Sequence, residues 1–163
     1  MITQPQLLNI ALNPADVVYT PDDVARDVVA YFKPSGKILE PCAGDGAFLK
    51  YLPPDTDWCE IEKGRDFFAY HEHYDWIIGN PPFSTFTPWL DHSFEIAENI
   101  VYLQLIGSIF MSYKRMKKIY EWGGIKALYV LGEKKFPTAD FGFNSAAIHF
   151  QRGYRGGMFT VFR

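Results

Sequence analysis

The stretch "YDWIIGNPPF", residues 74–83, reads as the end of a buried strand that stops on Gly79 and then delivers an asparagine, two prolines and a phenylalanine. Proline cannot donate to a sheet ladder, and two in a row forbid a helix start at that spot. The chain thus ends a core strand on a rigid loop that holds up an amide, Asn80, and an aromatic ring, Phe83. A capping asparagine and a core phenylalanine would account for the loop taken alone. Its surroundings argue for more.

Outward from this loop, strand-like and helix-like blocks alternate. A helix in "YTPDDVARDVVAYF" precedes "KILEP" as a strand, "DGAFLKYL" as a helix and "DWCEIE" as a strand. After "YDWIIG" come "TPWLDHSFEIAEN" as a helix, "IVYLQLIG" as a strand and "SIFMSYKRMKKIYEWGG" as a helix. "KALYVLG" and "SAAIHFQRG" read as strands with no clear helix between them, which predicts an antiparallel pair. The alternation predicts an α/β fold with a mostly parallel sheet. In the first helix Thr20 is the expected cap and Pro21 the first helical residue. Asp22 and Asp23 complement the dipole, and Val24, Val28, Val29 and Phe32 form the apolar face.

The chain has 163 residues, expected as one domain, residues 1–163, with 1–17 as an N-terminal extension. Its hydrophobic share, 48%, suffices for an ordinary core, and its aromatic share, 17%, leaves rings for stacking sites. A net charge of −3 argues against binding nucleic acid through bulk charge alone. Cys42 and Cys59 form no C-x-x-C pair, and "HEH" at 71–73 has no third ligand at metal spacing, so no metal is expected. The start "MITQPQLLNIALNPADVV" lacks a basic, apolar signal pattern, and no apolar run approaches ~18 residues, so a soluble, cytoplasmic protein with no membrane partner is expected.

Two further stretches carry chemistry. In "ILEPCAGDGAFL", Glu40 and Pro41 end a strand, and Gly44 and Gly46 flank Asp45; the glycines permit a sharp turn and close approach of a ligand. Neither a third glycine nor Gly-Lys-Ser/Thr follows, which disfavours NAD and ATP. In "WCEIEKG", Glu60 and Glu62 end the next strand, where a carboxylate suits the vicinal hydroxyls of a ribose; on a strand both would face one side.

Taken together, "EPCAGDGAFL", "CEIE", "RDFF" and "YDWIIGNPPF" resemble, in content and order, the S-adenosylmethionine-dependent N6-adenine DNA methyltransferases. "YTPDDVARDVV" upstream and "LGEKKFPTADFGFNSAAIHFQR" downstream extend the resemblance over residues 18–153. The resemblance implies a Rossmann-like class I methyltransferase catalytic domain, with helices on both faces and S-adenosylmethionine as cofactor. It implies that Thr20, Pro21, Glu40, Pro41, Ala43, Gly44 and Gly46 surround the cofactor's methionine end. Glu60 would hold the ribose, and Asp66 and Phe67 the cofactor's adenine. Asn80, Pro81, Pro82 and Phe83 would form the catalytic loop, with Phe136 contacting a flipped base from the other side.

The chain departs from that family in two places. Only "IEKGR" separates Glu60 from Asp66, too short for a parallel crossover, so either the third strand is lost or "DFFAY" runs as an irregular edge; Glu62 competes with Asp66 for the cofactor's adenosine end. No separate target-recognition region follows the last strand, where only "YRGGMFTVFR" remains. Base contacts would fall to the loop 136–144 with Phe141 and Phe143, to Lys134 and Lys135, or to a partner subunit or second copy. Lys114, Arg115, Lys117, Lys118, Arg152 and Arg155 are further candidates for phosphate contacts. The function expected is methylation of adenine N6 in DNA. Adenine in RNA, a protein glutamine amide and a catalytically silent partner subunit are the alternatives.

Overall fold

A computed structural model describes residues 18–132 and 144–163. In chain order the elements are α1 (Asp22–Phe32), β1 (Ile38–Glu40), β2 (Asp57–Trp58), β3 (Tyr74–Gly79), α2 (Phe86–Ile96) and β4 (Ala97–Leu105). They continue with α3 (Ile106–Phe110), α4 (Tyr113–Trp122), β5 (Gly123–Val130), β6 (Ser145–Arg152) and β7 (Phe159–Phe162). Among the described residues seven strands form one sheet in the order β2-β1-β3-β4-β6-β5-β7. β6 alone runs against its neighbours, pairing antiparallel with β4 and β5; the other pairs are parallel.

The strand order turns at the centre of the sheet. From β1 the chain moves outward to β2, whereas β3 lies on the other side of β1 and leads on to β4. Segments leaving the carboxyl ends of β1 and β3 therefore part in opposite directions and leave a crevice, the usual place for a ligand in an open α/β sheet.

Apolar side chains cover both faces. On one, Val24, Ala25 and Val28 of α1 pack with Phe48 and Leu52 against Ile38, Ile78, Val101 and Leu103. On the other, Phe86 and Leu90 of α2 and Ile119 of α4 pack against Ile77, Ile100 and Ile148. Each such side chain removed from water contributes roughly 1.5–3 kcal/mol.

Three expectations need correction. "DGAFLKYL" is a run of turns, not a helix. Gly44 and Gly46 sit at φ +53° and +84°, and Pro53 and Pro54 follow, so too few residues remain to repay helix nucleation. "DWCEIE" is a strand only at Asp57–Trp58, after which Ile61–Lys63 winds into a 3₁₀ turn; Glu60 and Glu62 thus do not share a strand face. Of the two expected outcomes for "DFFAY", the lost strand is the one found: it is a second 3₁₀ turn, Phe67–Ala69, and the short β2 is the sheet edge. Pro21 occupies the N-cap of α1 rather than its first turn, and the Thr20 side chain makes no cap bond. The strand β7 was not foreseen; it pairs parallel with β5, and Arg163 behind it bonds Asp23 and Asp27 of α1.

His149 on β6 is 4% exposed, stacks on Trp76 at 5.0 Å and shares a 3.0 Å hydrogen bond with Asn99. Burial, then the nearby Lys126 charge, push it down from 6.5 to about 4. The neutral ring's contribution is full above 6.5 and disappears as pH falls toward 4, roughly 3 kcal/mol in all. His149→Phe is expected to flatten this acid limb in urea titrations between pH 4 and 7; an unchanged slope would assign the acid sensitivity elsewhere.

Candidate functional site

The crevice holds a cavity of about 340 Å³. The loop after β1 supplies Pro41, Cys42, Gly44 and Asp45; the loop after β2 supplies Glu60 to Lys63 and Arg65 to Phe68. Asn80 and Pro82 come from the loop after β3, Trp89 from α2, and Val18 and Tyr19 from the arm ahead of α1. A side cavity of about 40 Å³ shares the walls at Val18, Tyr19, Cys42, Gly44, Asp45 and Asn80, and adds Thr20, Glu40 and Ala43.

Asn80 decides what this cavity can do. Its Nδ2 donates to the Val18 carbonyl at 2.8 Å and to the Thr20 hydroxyl at 3.2 Å. A carboxamide has two N–H donors, and both are thereby used. The remaining side-chain atom, Oδ1, only accepts.

Glu40 is 1% exposed, and its Oε2 has no hydrogen-bond partner among the described residues. Burial first, then the neighbouring carboxylates Glu60 and Asp45, push it up from 4.5 to about 8. A buried orphan carboxyl in a polar side cavity fits a ligand ammonium, which would return it to the ionised form. The two cavities together present Glu40, Asp45, Glu60, Glu62 and Asp66 against Lys63 and Arg65, a lining that favours a cationic ligand.

Glu60 is fixed by two backbone donors. Its Oε2 accepts from Gly44 N–H at 2.6 Å, and its Oε1 accepts from Glu62 N–H at 3.3 Å. Each oxygen keeps a lone pair for a hydroxyl, so the carboxylate is held ready to receive a diol. Glu62 is exposed and lends only its backbone to Glu60. Asp66 caps its 3₁₀ turn by accepting from Phe68 N–H at 3.0 Å, which uses Oδ1 alone. Phe67 is 2% exposed and stacks on Trp89, 4.8 Å between centroids and 12° between planes.

The structure brings together Glu40, Pro41, Ala43, Gly44, Glu60, Asp66, Phe67, Asn80, Pro82 and Thr20 around the two cavities. Pro81 is buried behind the loop, and Pro21 stands one residue beyond the arm. Gly46 shapes the turn through its φ of +84°. Phe83 lies outside both linings and packs, half-buried, on the α1 side of the core. Lys134, Lys135, Phe136, Phe141 and Phe143 fall outside the described residues.

Of the basic residues considered for phosphate contacts, Arg115, Lys117, Lys118, Arg152 and Arg155 have partners within the fold. Arg115 bonds the Thr87 hydroxyl at 2.8 Å and the Ser108 carbonyl. Lys117 pairs with Glu121 and Lys118 with Asp91. Arg152 donates to the Phe94 and Ala97 carbonyls, and Arg155 to that of Gly123. Tyr19, Cys42, Asp45 and Trp89 line the site without having been singled out as its residues. Trp89 carried no local signal, since it reads as one apolar position of α2. Among the described residues no cluster of His, Cys, Asp or Glu is placed to hold a metal ion, and no helix is long and apolar enough to cross a membrane.

No family model and no curated protein sequence matches the chain. Solved structures do match. One is assigned as a class I S-adenosylmethionine-dependent methyltransferase of Listeria monocytogenes: TM-score 0.66, 15% identity, covering 88% of this chain and 65% of that one. The fold is that of the class I methyltransferases. A second is assigned as a modification subunit of a type I restriction enzyme of Vibrio vulnificus, with TM-score 0.61, 14% identity, and coverage of 93% of this chain and 48% of that one. A third is assigned as an RNA methyltransferase of Pyrococcus horikoshii, with TM-score 0.57, 15% identity, and coverage of 80% and 82%. The chain thus spans less than two thirds of the first two.

Because burial raises the Glu40 carboxyl, its contribution to stability is full below 4.5 and is lost as pH rises toward 8, by roughly 3–5 kcal/mol. Glu40→Gln is expected to remove that loss, so the ligand-free variant is the more stable protein at pH 8 in urea unfolding. A variant that tracks the parent at every pH would show that Glu40 does not carry the strain.

Proposed function

We propose that the protein transfers a methyl group from S-adenosylmethionine to the exocyclic N6 of adenine in DNA. The observation that carries this reading is the state of Asn80: both amide protons are occupied and only an acceptor is left at a cofactor-sized cavity. An acceptor-only group suits a substrate that brings N–H donors, such as the amino group of a base, and disfavours carboxylates and bare ring nitrogens.

The residues fit the cofactor. Glu40 would meet its ammonium, the Pro41–Gly44 turn its methionine backbone, Glu60 its ribose, and Asp66 with Trp89 and Phe67 its adenine. The cofactor supplies an electrophilic methyl on a sulfonium centre. The chain's part is to make the acceptor nitrogen reactive. The adenine amine is conjugated with its ring, and its lone pair is a poor nucleophile. Accepting one N–H at Asn80 Oδ1 and the other at the Pro81 carbonyl draws the nitrogen toward sp³ and localises that pair. The prolines fix the carbonyl's direction in advance, so little reorganisation accompanies reaction. The nitrogen sheds a proton only once alkylated, and no strong base is required beforehand.

The order of the sequence motifs supports a DNA adenine, as does the Vibrio match to a protein assigned as a modification subunit. With Arg115, Lys117, Lys118, Arg152 and Arg155 engaged within the fold, recognition of the target falls to the site's own rim, to Lys114, to Lys134, Lys135, Phe136, Phe141 and Phe143, or to a partner.

The test is incubation with radiolabelled S-adenosylmethionine and, separately, unmethylated DNA, RNA and protein extract, followed by hydrolysis and chromatography. Label recovered as N6-methyladenine from DNA is expected; label confined to RNA or protein overturns the substrate. Asn80→Ala is expected to leave cofactor affinity within about threefold and to cut transfer at least about 100-fold. Glu60→Ala is expected to weaken cofactor binding about tenfold or more by calorimetry, and unchanged affinity would move the ribose contact to another carboxylate.

A further inference from the structure

We infer that the Val18–Thr20 arm sets which way the Asn80 carboxamide faces, with Thr20 as its positioning residue. The activity arm of the test rests on the amino-methyltransferase reading; the orientation is read from the hydrogen bonds alone.

A carboxamide is nearly symmetric in shape. Packing cannot tell its oxygen from its nitrogen, and only hydrogen-bond partners can. A flipped Asn80 would offer two donors where the chemistry needs an acceptor. The Val18 main-chain carbonyl can only accept, and at 2.8 Å it holds Nδ2 on the arm's side. The Thr20 hydroxyl, at 3.2 Å, takes the second proton. Both bonds span the fold, joining the segment ahead of α1 to the loop after β3.

The arm is itself fixed. Pro21 stands at the N-cap of α1 with φ −57°, and its carbonyl accepts from Val24 and Ala25. Val24, Ala25 and Val28 are fully buried against the sheet, so α1 cannot slide without opening the core. Asn80 is thus held by its side chain from the arm. Thr20 acts on the reacting group through Asn80.

The experiment compares the parent with Thr20→Val and Thr20→Ser. Solvent exchange of the Asn80 Nδ2 protons is followed by ¹⁵N NMR in cofactor-free protein, the signals being assigned by their loss in Asn80→Ala. One neutral hydrogen bond is at stake, so exchange is expected to quicken about 5–10-fold in Thr20→Val and to recover in Thr20→Ser. Methyl transfer to unmethylated DNA is expected to lose about 5–10-fold in kcat in Thr20→Val, with cofactor affinity within about twofold, and to recover in Thr20→Ser. Parent-like exchange in Thr20→Val overturns the inference. So does a loss of cofactor affinity with kcat retained, which would make Thr20 a cofactor contact only. If the parent methylates no DNA, the substrate reading fails while the exchange result still decides the orientation.

Discussion

The ends of β1 and β3 meet at Gly79, where an added Cβ would be tight. A Cβ there would stand 3.0 Å from Pro41 Cδ and 3.4 Å from Cys42 Sγ. This contact lets the Glu40–Gly46 turn and the Asn80–Phe83 loop lean on each other across the point where the strand order reverses. The orphan carboxyl of Glu40 and the acceptor of Asn80 consequently line one side cavity although forty residues separate them in the chain. A bulkier residue at 79 would press on Pro41 and Cys42, the residues of the β1 loop that it meets.

Charge does the second part of the work. A carboxyl buried like Glu40 is costly when ionised and unpartnered, and Glu60 and Asp45 increase that cost. A cationic ligand reverses the balance by making ionisation favourable. Binding of such a ligand would recover the stability held in reserve at this position, a common relation between strained sites and their ligands. Glu60 behaves differently. Its two backbone donors hold the carboxylate in one orientation before any ligand arrives, so it would receive hydroxyls without rearranging.

Much of this was legible in the sequence because it is local. Glycine pairs, prolines after an apolar run, and strand-end acids mark loops whatever the rest of the chain does; Gly44, Gly46 and Asn80 were found that way. The misreadings have two causes: local breakers that outweigh a periodic pattern, and tertiary contacts that override it. "DGAFLKYL" has helical periodicity but is bounded by left-handed glycines and by prolines. "MFTVFR" looks like a tail until Arg163 finds Asp23 and Asp27 far away in sequence. Phe83 looked like a ring for a substrate and packs instead on the core. The basic run in α4 looked like a phosphate surface, yet Arg115 is bound to Thr87 and Ser108. Trp89 and the arm's grip on Asn80 are long-range contacts with no sequence period to betray them.

The central claim is that Asn80 presents an oxygen, and only an oxygen, to the reacting end of a cationic cofactor. A crystal structure with sinefungin, which carries an amine where S-adenosylmethionine carries its sulfonium methyl, tests it most directly. The account requires that amine beside Asn80, donating to Oδ1 at about 2.7–3.2 Å, with Nδ2 still bound to Val18 and Thr20 and the ligand's ammonium on Glu40. A ligand seated elsewhere, or Nδ2 turned toward the amine, would contradict it.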